Sequence, residues 1–415
     1  MDVLESKAAL TNKEKGVSVY SNANPPTVPS EVNQDTPLEK LNLNWREKDL
    51  PEKERTKHVH RLHPYLGKFI PQLTEVFLRK YFRPGETVLD PFCGSGTTLV
   101  QANELGINAI GYDISAFNVL LTRAKMQKYD VVELRKEVLD ALHRLHSLTQ
   151  TKAQLRLWED RVCELNIPAT DSEYLKTWYA PKALEQLLTY RYLIEKEGYL
   201  YQDLMKIILS RSARSARLTT HYDLDFPKSP QTESYWCYKH SRICSPTAEA
   251  FKFIHRYSLD TIRRVEEFDV FRTNAKTEVY HADSRIVEFP PIDGVITSPP
   301  YVGLIDYHDQ HAYAYHLLGL EDKRAAEIGS AANGSSSKAK QQYQKDIATV
   351  FRNCVKAMKS GGWLIVVIHD SANLYPEIAS MCGVDAIAVL HRHVNRRTGR
   401  RSSEFYESIF VWRKP

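Results

Sequence analysis

Residues 87–98 read Thr87-Val-Leu-Asp-Pro-Phe-Cys-Gly-Ser-Gly-Thr-Thr98. The apolar start of this stretch predicts a short buried strand, and Gly94 and Gly96 predict a tight turn before a helix. The run Ala109-Ile-Gly-Tyr112 then predicts a second strand, which ends at Asp113. A strand, a glycine-rich turn, a helix and a second strand ending in an acid form the unit that binds nucleotide-like ligands in α/β proteins.

The residues around this turn narrow the class of ligand. A phosphate-binding loop would require Gly-Lys followed by Ser or Thr, which the stretch lacks. A nicotinamide-binding turn would require a third glycine, where Thr98 and Leu99 stand. An adenosine ligand without a large phosphate load remains, and Asp113 is placed to accept hydrogen bonds from ribose hydroxyls. The alternative is that Asp113 only caps the helix that follows.

A second informative stretch is Thr297-Ser-Pro-Pro-Tyr301, which follows the apolar run Ile292–Ile296. Consecutive prolines fix the backbone and carry no N–H donors, so their carbonyl groups are expected to be free. Ser298 adds a hydroxyl acceptor, and Tyr301 adds a flat aromatic ring. Such a group at the end of a strand suits an aromatic substrate with an exocyclic amine. On these residues alone, a strand-to-loop turn with a packed tyrosine is equally open.

Strands alternate with helices in the outer parts of the chain. This pattern predicts an α/β fold with a doubly wound, mostly parallel sheet and an antiparallel hairpin at the C-terminus. Residues 126–275 are mostly helical and are predicted to form an inserted helical and target-recognition domain. The sheet is therefore expected to form one domain from two segments, 41–125 and 276–415, which would be the catalytic domain if the stretch at Thr297–Tyr301 is a site. Residues 1–40 are polar and aperiodic and are predicted to be disordered.

The composition is that of an ordinary soluble protein. The 415 residues are 42% hydrophobic and 26% charged. The sequence contains no apolar run of about 18 residues, so no membrane segment is expected. Six scattered cysteines and a polar N-terminus favour a cytoplasmic location. The net charge of +5 permits a polyanionic partner without requiring one.

Taken together, the motifs resemble those of the DNA amino-methyltransferases that use S-adenosylmethionine. Asp90–Thr98 looks like their cofactor motif, and Thr297–Tyr301 looks like their catalytic motif in the form favoured by cytosine-N4 enzymes. His63-Pro-Tyr-Leu-Gly-Lys-Phe69 is similar to the segment that packs over the methionine end of the cofactor. His281-Ala-Asp283 resembles the strand-end acid near the adenine.

The resemblance covers about residues 43–125 and 276–415 and implies the class I methyltransferase fold. It implies that the substrate is double-stranded DNA, and that a separate restriction endonuclease is the functional partner. It implies that the catalytic residues are Ser298, Pro299, Pro300 and Tyr301. For cofactor binding it implies His63, Lys68, Asp90, Phe92, Gly94, Gly96, Asp113 and Asp283.

The order of the motifs leaves the target base open. In many cytosine-N4 enzymes the catalytic motif comes first, whereas here the cofactor motif does. Cytosine N4 is expected from the form of the catalytic motif, adenine N6 is the alternative, and an RNA base is a more distant one. Carbon-5 methylation would call for a Pro-Cys pair, which the sequence lacks.

The inserted segment holds the predicted DNA-reading element. Arg211, Arg214 and Arg217 recur every three residues and would lie along one side of a helix, as a row suited to phosphates or guanine edges. Between residues 205 and 245, seven Lys or Arg residues stand against three Asp or Glu, interleaved with aromatic residues. The alternative is a solvated basic helix face.

The same segment contains a partial metal-binding pattern. Cys237-x-x-His240-x-x-x-Cys244 offers three ligands of the kind that zinc prefers. No fourth ligand stands at a usual spacing, so no metal site is predicted.

Overall fold

The computed structural model describes most of the chain. It covers residues 18–20, 24–65, 67, 69–155, 169–225, 227–303, 306–330, 332, 334, 336–394 and 405–415.

Ten strands and thirteen α-helices are present in these residues. The strands are β1 (Ser18–Tyr20), β2 (Thr87–Asp90), β3 (Asn108–Asp113), β4 (Tyr235–Cys237), β5 (Arg242–Cys244), β6 (Thr277–His281), β7 (Ile292–Thr297), β8 (Met358–Ile368), β9 (Asp385–Val394) and β10 (Phe405–Arg413). The helices are α1 (Glu52–Arg55), α2 (Pro71–Tyr81), α3 (Thr97–Glu104), α4 (Ala116–Met126), α5 (Val131–Leu155), α6 (Glu173–Trp178), α7 (Pro181–Lys196), α8 (Gln202–Ala216), α9 (Phe251–Asp269), α10 (Tyr307–Gln310), α11 (Ala312–Leu318), α12 (Ser337–Ala357) and α13 (Tyr375–Cys382).

Eight strands form one sheet in the order β1-β9-β10-β8-β7-β2-β3-β6. β10 pairs antiparallel with β8 and β9, and the remaining neighbours pair in parallel. The predicted doubly wound, mostly parallel sheet with an antiparallel C-terminal hairpin is therefore confirmed. β2 lies between β3 and β7, where the order of strands along the chain reverses. In open α/β sheets, ligands bind beyond the carboxyl ends of the strands at such a point.

Apolar residues fill both faces of the sheet, but the inserted helices do not have a core of their own. One cluster joins Val88 and Ile365 of the sheet to Leu204 and Ile208 of α8. The helices between β3 and β6 thus pack directly against the sheet and share its core. On the other face, α12 and α13 pack against β2, β7 and β8.

The prediction that residues 1–40 are disordered is wrong for the part of that segment that the structure describes. β1 pairs in parallel with β9, and Val32 is buried. The indole N–H of Trp45 donates a hydrogen bond to the carbonyl oxygen of Thr27 at 2.8 Å. These anchors are one three-residue strand and isolated side chains without periodicity, so the sequence pattern gave no sign of them.

Candidate functional site

A cavity opens where four neighbouring strands of the sheet end. It contains about 800 Å³ of empty space, counting the part that is open to solvent. Its walls are the segments that follow β2, β3, β6 and β7, together with residues from the segment before α2. Representative lining residues are Tyr65, Phe92, Gly94, Asp113, Asp283 and Ser298.

In the turn after β2, Gly94 and Gly96 lie so close to neighbouring side chains that a larger residue at either position would crowd them. Gly96 has a φ of +75° and directly precedes α3. A Cβ atom at this position would lie 2.6 Å from Cγ2 of Thr122 on α4. A Cβ atom at Gly94 would lie 3.2 Å from the hydroxyl oxygen of Tyr65. Gly94 also lines the cavity, so the backbone there faces the cavity without an intervening side chain.

Asp113 orders this turn and also lines the cavity. Its Oδ2 accepts the N–H of Gly94 at 2.8 Å. Its Oδ1 accepts the N–H of Ser115 at 2.8 Å and the side-chain amide of Asn118 at 3.1 Å. A carboxylate has about four acceptor sites, so roughly one is left for a ligand hydroxyl. The N-cap of α4 is Ser115 and not Asp113, so Asp113 orders the backbone around the turn and keeps an acceptor site for a ligand.

The two motif stretches are joined by side-chain hydrogen bonds across β2 and β7. The hydroxyl of Thr297 donates to Oδ1 of Asp90 at 2.6 Å, and the hydroxyl of Thr98 donates to the carbonyl of Ile296 at 3.3 Å. Asp90 is buried behind the cavity, and this burial raises its pKa to about 6. The glycine-rich turn and the Ser-Pro-Pro-Tyr stretch therefore form a single site.

The predicted catalytic residues lie at the rim and in the wall of the cavity. Ser298 and Pro300 line it, whereas Pro299 is buried and Tyr301 is half-buried against the neighbouring core. One expectation is wrong, because the carbonyl of Pro300 is not free. It accepts a hydrogen bond from the hydroxyl of Tyr343 at 2.9 Å.

Of the remaining residues that were predicted to bind the cofactor, some line the cavity and others do not. Phe92 and Asp283 line the cavity. His63 is buried behind the wall, where its Nδ1 lies 2.8 Å from the carbonyl oxygen of Pro64 and its ring packs edge-on against Phe117. Other residues of the same stretch, Tyr65, Gly67 and Phe69, line the cavity instead. Lys68 lies outside the described residues.

Sequence reasoning missed Glu327 and Tyr343. Glu327 is buried, lines the cavity and contacts the Nδ1 of His308. Tyr343 lies on α12, and its hydroxyl is also 2.8 Å from the hydroxyl of Tyr375. Neither residue belongs to a motif, and neither is close in sequence to the residue that it contacts. The sequence therefore carries no signal for either role.

Several polar atoms at the cavity wall fit a polar ligand. Within the described part of the chain, Oγ of Ser95, Oγ1 of Thr97 and Oε2 of Glu327 are buried without a hydrogen-bond partner. All three residues line the cavity. Leaving such a group unsatisfied costs about 1–3 kcal/mol, so a ligand that supplies partners would be stabilised here. A glycine-lined turn, an acid and orphaned polar atoms together suit an adenosine-containing ligand.

The structure corrects the prediction of a DNA-binding row at Arg211, Arg214 and Arg217. All three are buried, and each already has partners within the protein. Arg211 pairs with Asp260 at 2.7 Å, Arg214 pairs with Asp225, and Arg217 donates to the carbonyl of Leu224 at 2.6 Å. Because all three side chains are buried, they do not form an exposed row that a DNA duplex could contact. Instead they attach α8 to α9 and to the segment that follows α8.

The partial metal-binding pattern gains a fourth member. His221 lies beside Cys237, His240 and Cys244, with one ligand atom of each residue within 4.8 Å of the other three. The expectation of no metal site depended on the absence of a fourth ligand. The structure brings that ligand in from 16 residues before Cys237.

The chain is similar to several known methyltransferases. Residues 7–123 match the N6/N4 DNA methylase family. The chain is 36% identical over 430 residues to the Type II methyltransferase M.MjaII of Methanocaldococcus jannaschii, covering 87% of this chain and 81% of that protein. It is 23% identical to the Type II methyltransferase M.BsoBI of Geobacillus stearothermophilus, covering 67% of this chain and 56% of that protein. Among solved structures, the rRNA methyltransferase aviRa from Streptomyces viridochromogenes aligns with a TM-score of 0.33 at 12% identity, over 85% of this chain and 88% of that one.

Proposed function

Because this chain belongs to the DNA amino-methyltransferases of the Type II restriction-modification kind, we propose that it methylates N4 of cytosine within a short DNA sequence. Its cofactor is S-adenosylmethionine. The observation that carries the proposal is the joining of the two motif stretches at one cavity, through the hydrogen bond between Thr297 and Asp90. The Ser-Pro-Pro-Tyr form of the catalytic stretch supports cytosine as the base.

The cavity walls divide into parts that suit the parts of the cofactor. Phe92 and Asp283 would flank the adenine, and Asp113 would accept a ribose hydroxyl. Tyr65, Gly67 and Phe69 would cover the methionine end, and the turn at Gly94 would let the backbone approach it. When bound, S-adenosylmethionine supplies an electrophilic methyl group on a positively charged sulfur.

The residues of the catalytic stretch would make a poor nucleophile reactive. The lone pair of an exocyclic amine is delocalised into the base. The Ser298 hydroxyl and the Pro299 carbonyl would accept hydrogen bonds from its two N–H groups and favour a pyramidal nitrogen. Tyr301 would stack on the base, which must be flipped out of the duplex to reach the cavity. Positioning and preorganised acceptors would then supply most of the rate enhancement.

Among the residues that the structure describes, the cavity lining offers no reactive cysteine. Cys93 lines the cavity, but burial raises the pKa of its thiol well above the ordinary value. Because the thiolate is the nucleophilic form of cysteine, this burial disfavours attack on a base by Cys93. This observation supports direct transfer to an amine over transfer to a ring carbon through a covalent intermediate.

Adenine N6 is the second candidate target, favoured by the order of the motifs along the chain. The cofactor stretch at Asp90–Thr98 precedes the catalytic stretch at Thr297–Tyr301.

Incubation with labelled cofactor and either unmethylated DNA or RNA tests the substrate class. Label in DNA alone supports the proposal, and label in RNA alone would overturn it.

We place the DNA contact on the β4–β5 ribbon, since the arginines of α8 are buried. The ribbon exposes Trp236, Tyr238 and Ile243, and it also carries exposed Lys239 and Arg242. Exposed aromatic and basic side chains in one short element suit base and phosphate contacts. The partner is then double-stranded DNA, and a separate cognate endonuclease would cut the same sequence when it is unmethylated.

Cofactor affinity is expected to fall as the pH is lowered through about 6. Burial raises the pKa of Asp113 to about 6, and a ribose hydroxyl donates best to the ionised carboxylate. Affinity should therefore be full above this pKa and be lost below it, by at most about tenfold per pH unit for one proton. Calorimetric titration at several pH values measures the effect. Asp113→Asn should abolish it, and an unchanged profile in that variant would assign the titration to Asp90.

Replacing Tyr343 with phenylalanine is expected to slow methyl transfer while cofactor affinity is retained. The variant loses the hydrogen bond that holds the Pro300 carbonyl, which is worth about 0.5–1.5 kcal/mol or roughly two- to tenfold in rate. Single-turnover transfer measures this effect. Tyr129→Phe is a matched control, since Tyr129 is a buried tyrosine that donates to the Ala124 carbonyl away from the cavity. An equal rate loss in both variants would contradict a positioning role for Tyr343.

A further inference from the structure

Four side chains converge beside the β4–β5 ribbon and form what we term the Cys-His cluster. Its members are His221, Cys237 on β4, His240 in the turn, and Cys244 on β5. Nδ1 of His240 lies 3.5 Å from the sulfur of Cys237 and 3.5 Å from that of Cys244. Nδ1 of His221 lies 3.6 Å from the sulfur of Cys237.

These distances match the edges of a zinc-centred tetrahedron. Zinc lies about 2.3 Å from cysteine sulfur and about 2.0–2.1 Å from histidine nitrogen, so neighbouring sulfur and nitrogen ligands are about 3.6 Å apart. The three sulfur–nitrogen distances in the Cys-His cluster are 3.5, 3.5 and 3.6 Å. A single thiol–imidazole hydrogen bond has a similar length, so the evidence for a metal is that one ligand atom from each of the four residues lies within 4.8 Å of the other three.

The chemistry of the cluster also suits a metal. Both cysteines are free thiols and are buried, whereas His221 is half-buried and His240 is exposed. The hydroxyl of Tyr235 lies 3.0 Å from Nδ1 of His221 and accepts the backbone N–H of the same residue at 2.9 Å. With a metal on Nδ1, this hydroxyl keeps the backbone N–H as its partner.

The ribbon needs a constraint of this kind. Each of its strands has three residues, and an isolated two-stranded ribbon is marginally stable in water. On its outer side it exposes Trp236, Tyr238 and Ile243, which contribute nothing to a core. A metal held by both strands, the turn and the segment after α8 would fix the shape of the ribbon.

We propose that the Cys-His cluster binds one structural zinc ion, which holds the β4–β5 ribbon in place. Four protein ligands complete a tetrahedral shell and leave no position for substrate or water, so the ion is not catalytic. None of the four ligands lines the cofactor cavity, so loss of the ion leaves cofactor binding intact. This inference does not depend on the proposed methylation of cytosine.

Metal analysis of the purified full-length chain tests the proposal directly. We expect one zinc per chain in the wild type and almost none in Cys237→Ser/Cys244→Ser. The control is Cys354→Ser/Cys382→Ser, which removes two other buried free thiols and should keep the zinc. Cofactor affinity, measured on each variant, should stay at the wild-type value and shows that the chain is folded.

Cobalt substitution gives a second readout that does not require a cysteine variant to fold. The wild type refilled with Co²⁺ should show the visible absorption of a tetrahedral site and a sulfur-to-cobalt charge-transfer band. His221→Ala should weaken or shift these bands, because it removes one ligand. Wild-type protein without stoichiometric zinc or cobalt, or with Cys237 and Cys244 in a disulfide, would overturn the proposal. Zinc retained in Cys237→Ser/Cys244→Ser would overturn it as well.

Discussion

Replacing Tyr301 with alanine is expected to lower the rate of methyl transfer by about 5- to 150-fold, which corresponds to the roughly 1–3 kcal/mol of one base–aromatic stack. Tyr301 directly follows Pro300, which lines the cavity, and its ring is only half-buried. Cofactor affinity should change by no more than about twofold, or less than about 0.5 kcal/mol, because Tyr301 does not line the cavity. Single-turnover transfer and calorimetry measure the two quantities.

Tyr301→Phe is the matched control, because it keeps the aromatic ring and removes only the hydroxyl. It should retain most of the transfer rate. Equal losses of rate and cofactor affinity in Tyr301→Ala would instead mean that the ring supports the cavity wall, and the stacking role would be lost.

Replacing Asp113 with alanine is expected to weaken cofactor binding by about 10- to 100-fold. The variant loses the carboxylate that would meet the ribose, and hydrogen bonds to charged groups contribute about 1.5–3 kcal/mol each. It also releases the N–H of Gly94, which Asp113 accepts at 2.8 Å, so the glycine-rich turn loses an anchor. Calorimetric titration with S-adenosylmethionine at neutral pH gives the affinity.

Asp130→Ala is the matched control for Asp113→Ala. It removes a carboxylate that accepts backbone hydrogen bonds at the start of a helix but that would not contact the cofactor. Asp130 accepts the N–H groups of Val132 and Glu133 at the start of α5 and does not line the cavity. Its replacement should lower stability and leave cofactor affinity unchanged. Unchanged affinity in Asp113→Ala would mean that Asp113 serves only to order the backbone.

The elements at the core of the site could be predicted because their signals are local. The strand, turn and helix at residues 87–98 follow from apolar runs and two glycines within twelve positions. The sheet follows from repeats of this pattern, and the pairing of β2 with β7 places the two motifs side by side. Local patterns and the topology rules of α/β proteins are sufficient for this part.

The remaining features depend on partners that are distant along the chain. Arg211 looked available for DNA because its partner Asp260 is 49 residues away. The Cys-His cluster looked incomplete because His221 precedes the cysteine–histidine pattern by a gap that no short motif contains. Tyr343 holds Pro300 from 43 residues further along the chain. In each case tertiary packing assigns the partner, and sequence spacing carries no record of it.

The measurement that tests the central claim most directly identifies the methylated base. Unmethylated DNA amplified in vitro is incubated with the purified protein and methyl-labelled S-adenosylmethionine, then digested to nucleosides and separated. Label that co-migrates with N4-methylcytosine is the predicted result. Label in N6-methyladenine would contradict the assignment of cytosine, and the absence of label from every nucleoside would contradict methylation of DNA by this site.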